Sequence, residues 1–242
     1  MDSSSSALPS TDKDHVLLPP SLHHARINTL PETAYYIPNF ITEQEEQNIL
    51  DKISSAPKPR WKQLTKRRLQ TWPSDLVNNK LLEAPLPLWL QDPVISRLLS
   101  MPSQDSSSAN MFDRSPHKKP NHVLINEYPP ATVSLGASLC LNLHRSKEDG
   151  ALDPEPAWRI LQEPRSLLIT AGELYTDYLH GIADIEEDVD LSAETVANWD
   201  LLGSPGVYAN GRNIRQTRTS LTYRDVLQVS KVANKLGILL RR

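Results

Sequence analysis

Arg218-Thr219-Ser220-Leu221-Thr222-Tyr223-Arg224 reads as a β-strand built from β-branched, aromatic and alternating polar residues. A strand turns successive side chains to opposite faces, so Arg218 and Arg224, six residues apart, share one face. Thr219, Leu221 and Tyr223 take the other. Taken alone, the pattern also suits an amphipathic strand whose arginines meet solvent.

Working outward, the second half of the chain is a series of short apolar or β-branched runs bounded by turn formers. These are His122–Tyr128, Thr132–Leu135, Ser138–Leu143 and Ser166–Thr170. The first half differs. Ala34–Ile41 is a short aromatic strand broken by Pro38, which suits a sheet edge or a strand end. Thr42 and Glu45 form a capping box, and the helix that follows shows Ile49, Leu50 and Ile53 on one face and stops before Pro57. Asp92-Pro93 predicts another helix start, with Asp92 as its cap and Val94, Ile95, Leu98 and Leu99 as its stripe. A helical layer followed by many short strands predicts an α+β fold, with an antiparallel sandwich or jelly roll as its second part. Residues 1–32 read as a mobile leader, 33–228 as one domain, and 229–242 as a frayed or docked tail. The Ser- and Pro-rich stretch 103–120 reads as a surface excursion.

The chain has 242 residues, 38% hydrophobic and 23% charged, which is enough to bury a core. Its net charge is −3, so a nucleic-acid or acidic partner must be met by a local patch. Eight glycines against twenty prolines disfavour Gly-rich phosphate cradles and suit strands joined by stiff loops. The single cysteine, Cys140, excludes a disulfide framework and a Cys-based zinc site. With no basic n-region at its start and no long apolar run, the expected setting is cytoplasm or nucleus, with no membrane.

Three local signatures bear on chemistry: Ile125-Asn126-Glu127-Tyr128-Pro129-Pro130, Tyr178-Leu179-His180-Gly181-Ile182, and the Arg218–Arg224 pair. Separately, each has a plain structural reading, a satisfied strand histidine in the case of His180. Together and in this order they resemble the AlkB-like Fe(II)/2-oxoglutarate dioxygenases, over about residues 34–226. The segments Tyr36-Ile37-Pro38-Asn39-Phe40-Ile41, Ala56-Pro57-Lys58-Pro59-Arg60-Trp61 and Glu163-Pro164-Arg165-Ser166-Leu167 look most like the subgroup of AlkB homologue six.

The resemblance implies a double-stranded β-helix, a jelly roll whose mouth holds iron and 2-oxoglutarate. It implies that Arg218 pairs with the distal carboxylate of 2-oxoglutarate, that Asn126 and Tyr128 hydrogen-bond the same molecule, and that Arg224 supports its other end or the substrate. Ser220 stands where the family often has Asn. His180 would be the distal iron ligand, and the expected reaction is oxidation of a methyl or alkyl group on nucleic acid or protein. The family's second His and its carboxylate come as His-x-Asp soon after Asn-x-Tyr-x-Pro. Here Pro129-Pro130 runs directly into Ala131-Thr132-Val133-Ser134-Leu135, and that loop has no counterpart. His144 is followed by Arg145 and Ser146, with Glu148 and Asp149 nearby, and reads as a solvated strand-end residue.

A facial site needs two His and one carboxylate, so the chain is expected to be impaired as an iron enzyme. A non-catalytic binding module or an inactive variant of the family stands as the alternative. If 122–128 and 132–136 were antiparallel neighbours, Pro129-Pro130-Ala131 would need a wide turn or partial unpairing, because proline cannot take the positive φ of tight hairpins. Lys58, Arg60, Lys62, Lys66, Arg67 and Arg68, interleaved with Trp61 and Trp72, form a candidate nucleic-acid patch. A solvated edge hairpin guarded by charge explains the same residues.

Overall fold

The computed structural model of the protein describes residues 15–31, 34–65, 67–104, 109–128, 135–145 and 153–230. The strands of the first half are β1 Ala34–Ile37, β2 Lys62–Gln63, β3 Arg68–Trp72, β4 Leu76–Val77 and β5 Lys80–Leu82. Then follow β6 His122–Tyr128, β7 Leu139–Arg145, β8 Trp158–Gln162, β9 Leu167–Thr170 and β10 Tyr178–Gly181. The last are β11 Glu187–Asp188, β12 Asn213–Ile214, β13 Arg218–Arg224 and β14 Val229–Ser230. The helices are α1 Glu43–Ser54, α2 Leu88–Gln91, α3 Val94–Ser100 and α4 Glu173–Thr176. Short helices and mostly antiparallel sheets make this an α+β protein.

Two sheets matter for the site. One has the order β13-β6-β3-β2 and the other β10-β7-β8. β6 is its sheet's organising strand: β13 pairs with it from Arg218↔Tyr128 to Arg224↔His122, and β3 occupies its other edge. The pleat divides this sheet chemically. Val123 and Ile125 turn to one face, where they join Ile49, Ile53, Leu90, Val94, Ile95 and Leu98 in a core beneath the helices. A second core joins Leu139, Leu141 and Leu143 of β7 and Ile160 of β8 to Ile27, Leu30, Tyr36 and Leu174.

The capping box forms as expected. Glu45 N–H donates to the Thr42 hydroxyl at 3.1 Å and Thr42 N–H to the Glu45 carboxylate at 2.8 Å. Arg97 of α3 also donates to both Glu45 oxygens, and these bonds outweigh burial to hold the carboxyl below its usual range. Thr42→Ala should cost about 1 kcal/mol, read as a lower urea midpoint at unchanged slope.

Four expectations change. Residues 15–31 are not a leader: Leu22, Ile27 and Leu30 are buried in the two cores. Asp92 does not cap α3; its N–H closes α2 on the Leu88 carbonyl, and Pro93 precedes the helix. Leu135 and Gly136 do not pair with β6, whose two edges β3 and β13 occupy. Leu135 instead bridges Thr219 on β13. The expected strain at Pro129-Pro130-Ala131, and Thr132-Val133-Ser134, lie outside the described residues. Val229–Ser230, assigned to the tail, pairs parallel with Leu81–Leu82, and 231–242 lies outside the described residues.

The segments 36–41 and 163–167 meet in space. β1 pairs with β9, the Tyr36 hydroxyl donates to the Glu163 carboxylate at 3.0 Å, and Glu163 accepts from the backbone N–H groups of Gly203 and Ser204, both at 2.8 Å. Burial, aided by the Glu163 charge, pushes the Tyr36 phenol well above its ordinary pKa. Tyr36 is therefore a neutral donor.

Candidate functional site

The face of β6 and β13 opposite the helix core is polar. Even spacing puts Arg218, Ser220 and Arg224 of β13 on it, opposite Tyr128, Asn126 and His122 of β6 in register. Arg218 is 1% exposed, and His122, Asn126 and Ser220 are also buried. A strand face of this composition is costly to bury unless it is paired or receives a polar ligand.

Arg218 connects the two sheets, its Nη2 donating to the Gln162 side-chain oxygen at the end of β8. A guanidinium is a planar, rigid fork of donors, a shape that matches a carboxylate. Asn126 lies opposite Ser220, with Nδ2 3.3 Å from the hydroxyl, while its buried Oδ1 meets no hydrogen-bond partner among the described residues. The two ends of the amide are sterically equivalent. Rotated by 180°, the amide accepts from Ser220 and turns its N–H groups to the side now lacking a partner, for which a carboxylate is a matching acceptor. Tyr128 occupies the register position across from Arg218. At the other end of the ribbon, Arg224 lies across from His122, and its Nε is buried without a partner among the described residues.

His122 and Gln162 escaped the sequence reading. His122 carried a usable signal, four residues before Asn126 on the same strand face. Gln162 carried none, because its role depends on how two sheets are stacked.

Burial, and then the Arg224 charge, lower the His122 pKa, against an upward pull from the Ser74 backbone and Asp75. A histidine depressed in the folded state stabilises the fold above its unfolded pKa, and that contribution disappears as pH falls. Unfolding free energy should therefore decline as pH drops below the ordinary His value of 6.5. His122→Phe should flatten that part of the urea-midpoint profile.

His180 lies on β10 opposite Leu143. Leu139, four residues earlier on β7, pairs with Gln162, so His180 shares the face that meets Arg218 but stands about 13 Å further along. It is exposed, and its Nε2–H donates to the Leu174 carbonyl at 2.9 Å. In that tautomer the ring's lone pair lies on Nδ1. His144 pairs with Leu179 and so points to the opposite face, where its Nδ1–H donates to the Asp153 carbonyl at 2.8 Å. Among the described residues no three His, Cys, Asp or Glu side chains are grouped to hold a metal ion. Glu148 and Asp149 lie outside them. Among the described residues, therefore, the two His and one carboxylate that iron needs are not assembled.

The basic segment forms the β2–β3 hairpin at the sheet edge. Arg60 lies over the Trp72 ring at 4.2 Å and donates to the Pro73 carbonyl at 3.0 Å. Arg68 lies over Trp61 at 4.1 Å and pairs with Glu127 at 2.6 Å, and Lys62 pairs with Asp75 at 2.5 Å. Much of the basic and aromatic alternation is thus spent within the hairpin. Lys58 is exposed, Arg67 half-buried, and Lys66 outside the described residues. An open groove of about 490 Å³ runs beside Arg60, Trp72, Pro73 and Leu86. No described helix is long and apolar enough to cross a membrane.

A protein of Danio rerio described as a probable RNA/DNA demethylase, ALKBH6, is 33% identical to this chain over 235 residues, covering 87% of this chain and 93% of its own length. No family model matches the chain.

Proposed function

Because the chain belongs to the AlkB-like Fe(II)/2-oxoglutarate dioxygenase family, in the subgroup of AlkB homologue six, we propose that its polar β6–β13 face is a cradle for 2-oxoglutarate within a double-stranded β-helix. Arg218 would take the distal carboxylate through its planar fork, with Asn126 and Tyr128 beside it and Arg224 towards the other end. The observation that carries this reading is the buried Arg218, bonded to Gln162 and sharing its face with a buried Asn126 amide whose Oδ1 has no hydrogen-bond partner among the described residues. Its expected place in the cell is cytoplasm or nucleus.

In this family the cosubstrate supplies the electrons that activate oxygen when iron is bound. Among the described residues the iron ligand set is not assembled, so no reaction step is assigned to this chain. What its own residues do is bind and orient a dicarboxylate. Calorimetric titration of the full chain with 2-oxoglutarate, without added metal, should show one saturable site. Heat no greater than dilution would refute the cradle.

Nucleic acid is the partner class we propose. The relative's description supports it, as does the exposed Lys58 in the basic segment that leads into the hairpin. Arg60, Lys62 and Arg68 are already engaged and contribute less. The double variant Lys58→Glu, Arg67→Glu should weaken binding to single-stranded RNA and reduce the salt slope by about 1 per lost phosphate contact. Unchanged, salt-insensitive binding would remove the hairpin from the interface.

A further inference from the structure

We infer that the open groove beside Trp72 and Leu88 is a docking site for the chain's own segment 231–242. The groove, of about 490 Å³, is largely apolar: Trp72, Pro73, Pro85, Leu86 and Leu88 line it, with Arg60 and Gln91 as its polar groups. Leu88 is 81% exposed within it. The Trp72 wall is held in place, since its ring meets Trp89 edge-on with the ring centres 5.6 Å apart. An apolar hollow with a polar rim is the form that an interaction site takes.

The strand topology says what reaches it. β14 runs parallel to β5, with Val229 beside Leu81 and Ser230 beside Leu82, and the Glu83 N–H donates to the Ser230 carbonyl at 3.0 Å. Parallel strands advance the same way, so beyond Ser230 the chain leaves in the direction in which 83–88 runs. Ala84 already lines the groove. From Glu83 to Leu88 is at most about 17 Å, and the twelve residues 231–242 reach about 18 Å as a helix and about 40 Å extended. Their chemistry matches as well. Val232, Leu236, Ile238, Leu239 and Leu240 supply apolar groups, and Lys231, Lys235, Arg241 and Arg242 supply cations with no acid among them. The stretch 83–92 carries the exposed Glu83 and Asp92 and no cation. Arg60, the cation of the wall, is spent over the Trp72 ring at 4.2 Å and on the Pro73 carbonyl. So short a connection also keeps the segment at high effective concentration beside the groove, and weak contacts suffice to seat it.

Thiol labelling of the full chain tests this. Cys140 is buried and its thiol is pushed up to about 11, so a maleimide reads a cysteine introduced elsewhere. Leu88→Cys reports the groove. Val77→Cys is the control, exposed on β4 at the other edge of the β14-β5-β4 sheet. Changing Leu236, Leu239 and Leu240 together to Ser should speed labelling at position 88 on the order of tenfold and leave position 77 unchanged. Equal rates at 88 with and without the three serines would overturn the inference. An equal gain at 77 would also overturn it, because the segment would then hold the fold and not cover the groove. So would protection at 88 that fades on dilution, which would assign the segment in the groove to a second copy.

Discussion

Arg218→Met should weaken 2-oxoglutarate binding by about 2–5 kcal/mol, a loss on the order of thirtyfold to several thousandfold. Met keeps the length of the side chain and much of its apolar stem but removes the charge and the donors. The size of the effect follows from burial. A carboxylate paired with a guanidinium that is 1% exposed is held in a low dielectric, and removing the cation strands it there. Arg218→Lys should recover only part of the affinity, because a point charge cannot reproduce the two parallel bonds of the fork. The variant also loses the bond to Gln162, so its fold needs an independent check. Gln162→Ala breaks that bond and keeps the arginine, and it should weaken binding far less than Arg218→Met. Equal losses in the two variants would mean that Arg218 is a strut between sheets and not a ligand contact.

Asp188→Ala should destabilise the fold by about 3–5 kcal/mol. Arg215 and Asp188 form an ion pair with both side chains 1% exposed, at 2.6 Å and again at 3.1 Å. Asp188 also accepts from the Cys140 N–H at 3.3 Å and the Asn213 amide at 3.0 Å, while Arg215 donates to the Ala183 carbonyl at 2.5 Å. The network ties β7 to β11, β12 and the loop before β11. Removing the carboxylate leaves a buried guanidinium with one partner. Replacing both residues by apolar ones of similar volume should cost far less, since the penalty comes mainly from the stranded charge. Urea denaturation of the two variants distinguishes these cases, and equal costs would contradict the account.

Local chemistry made much of the fold legible. The capping box at Thr42 and Glu45, the alternation in 218–224 and the apolar runs at 122–128, 138–143 and 166–170 each declare themselves within a few residues. The same alternation placed Arg218 and Arg224 on one face, and the structure sets Asn126 on the strand beside them. Composition misled where a segment's neighbours decide its state. Residues 15–31 look like a polar leader because their apolar residues are scattered, yet Leu22, Ile27 and Leu30 each find a pocket in a core built by distant strands. Arg68–Trp72, by contrast, lies in the charged edge hairpin that is the plainer reading of its segment, a strand because β6 offers it an edge and Trp61 offers Arg68 a ring. Asp92 has the right residue type for a cap, but the preceding helical turn claims its N–H first. The partner of Arg218 could not be read from the chain, since 56 residues separate it from Gln162 and only the stacking of two sheets joins them.

Crystals of the chain grown with 2-oxoglutarate and no metal would test the cradle most directly. Density for a carboxylate against the outer edge of the Arg218 guanidinium, beside the Asn126 amide, is the result expected. A ligand bound anywhere else, or a cradle that remains filled by its own side chains at saturating 2-oxoglutarate, would contradict it.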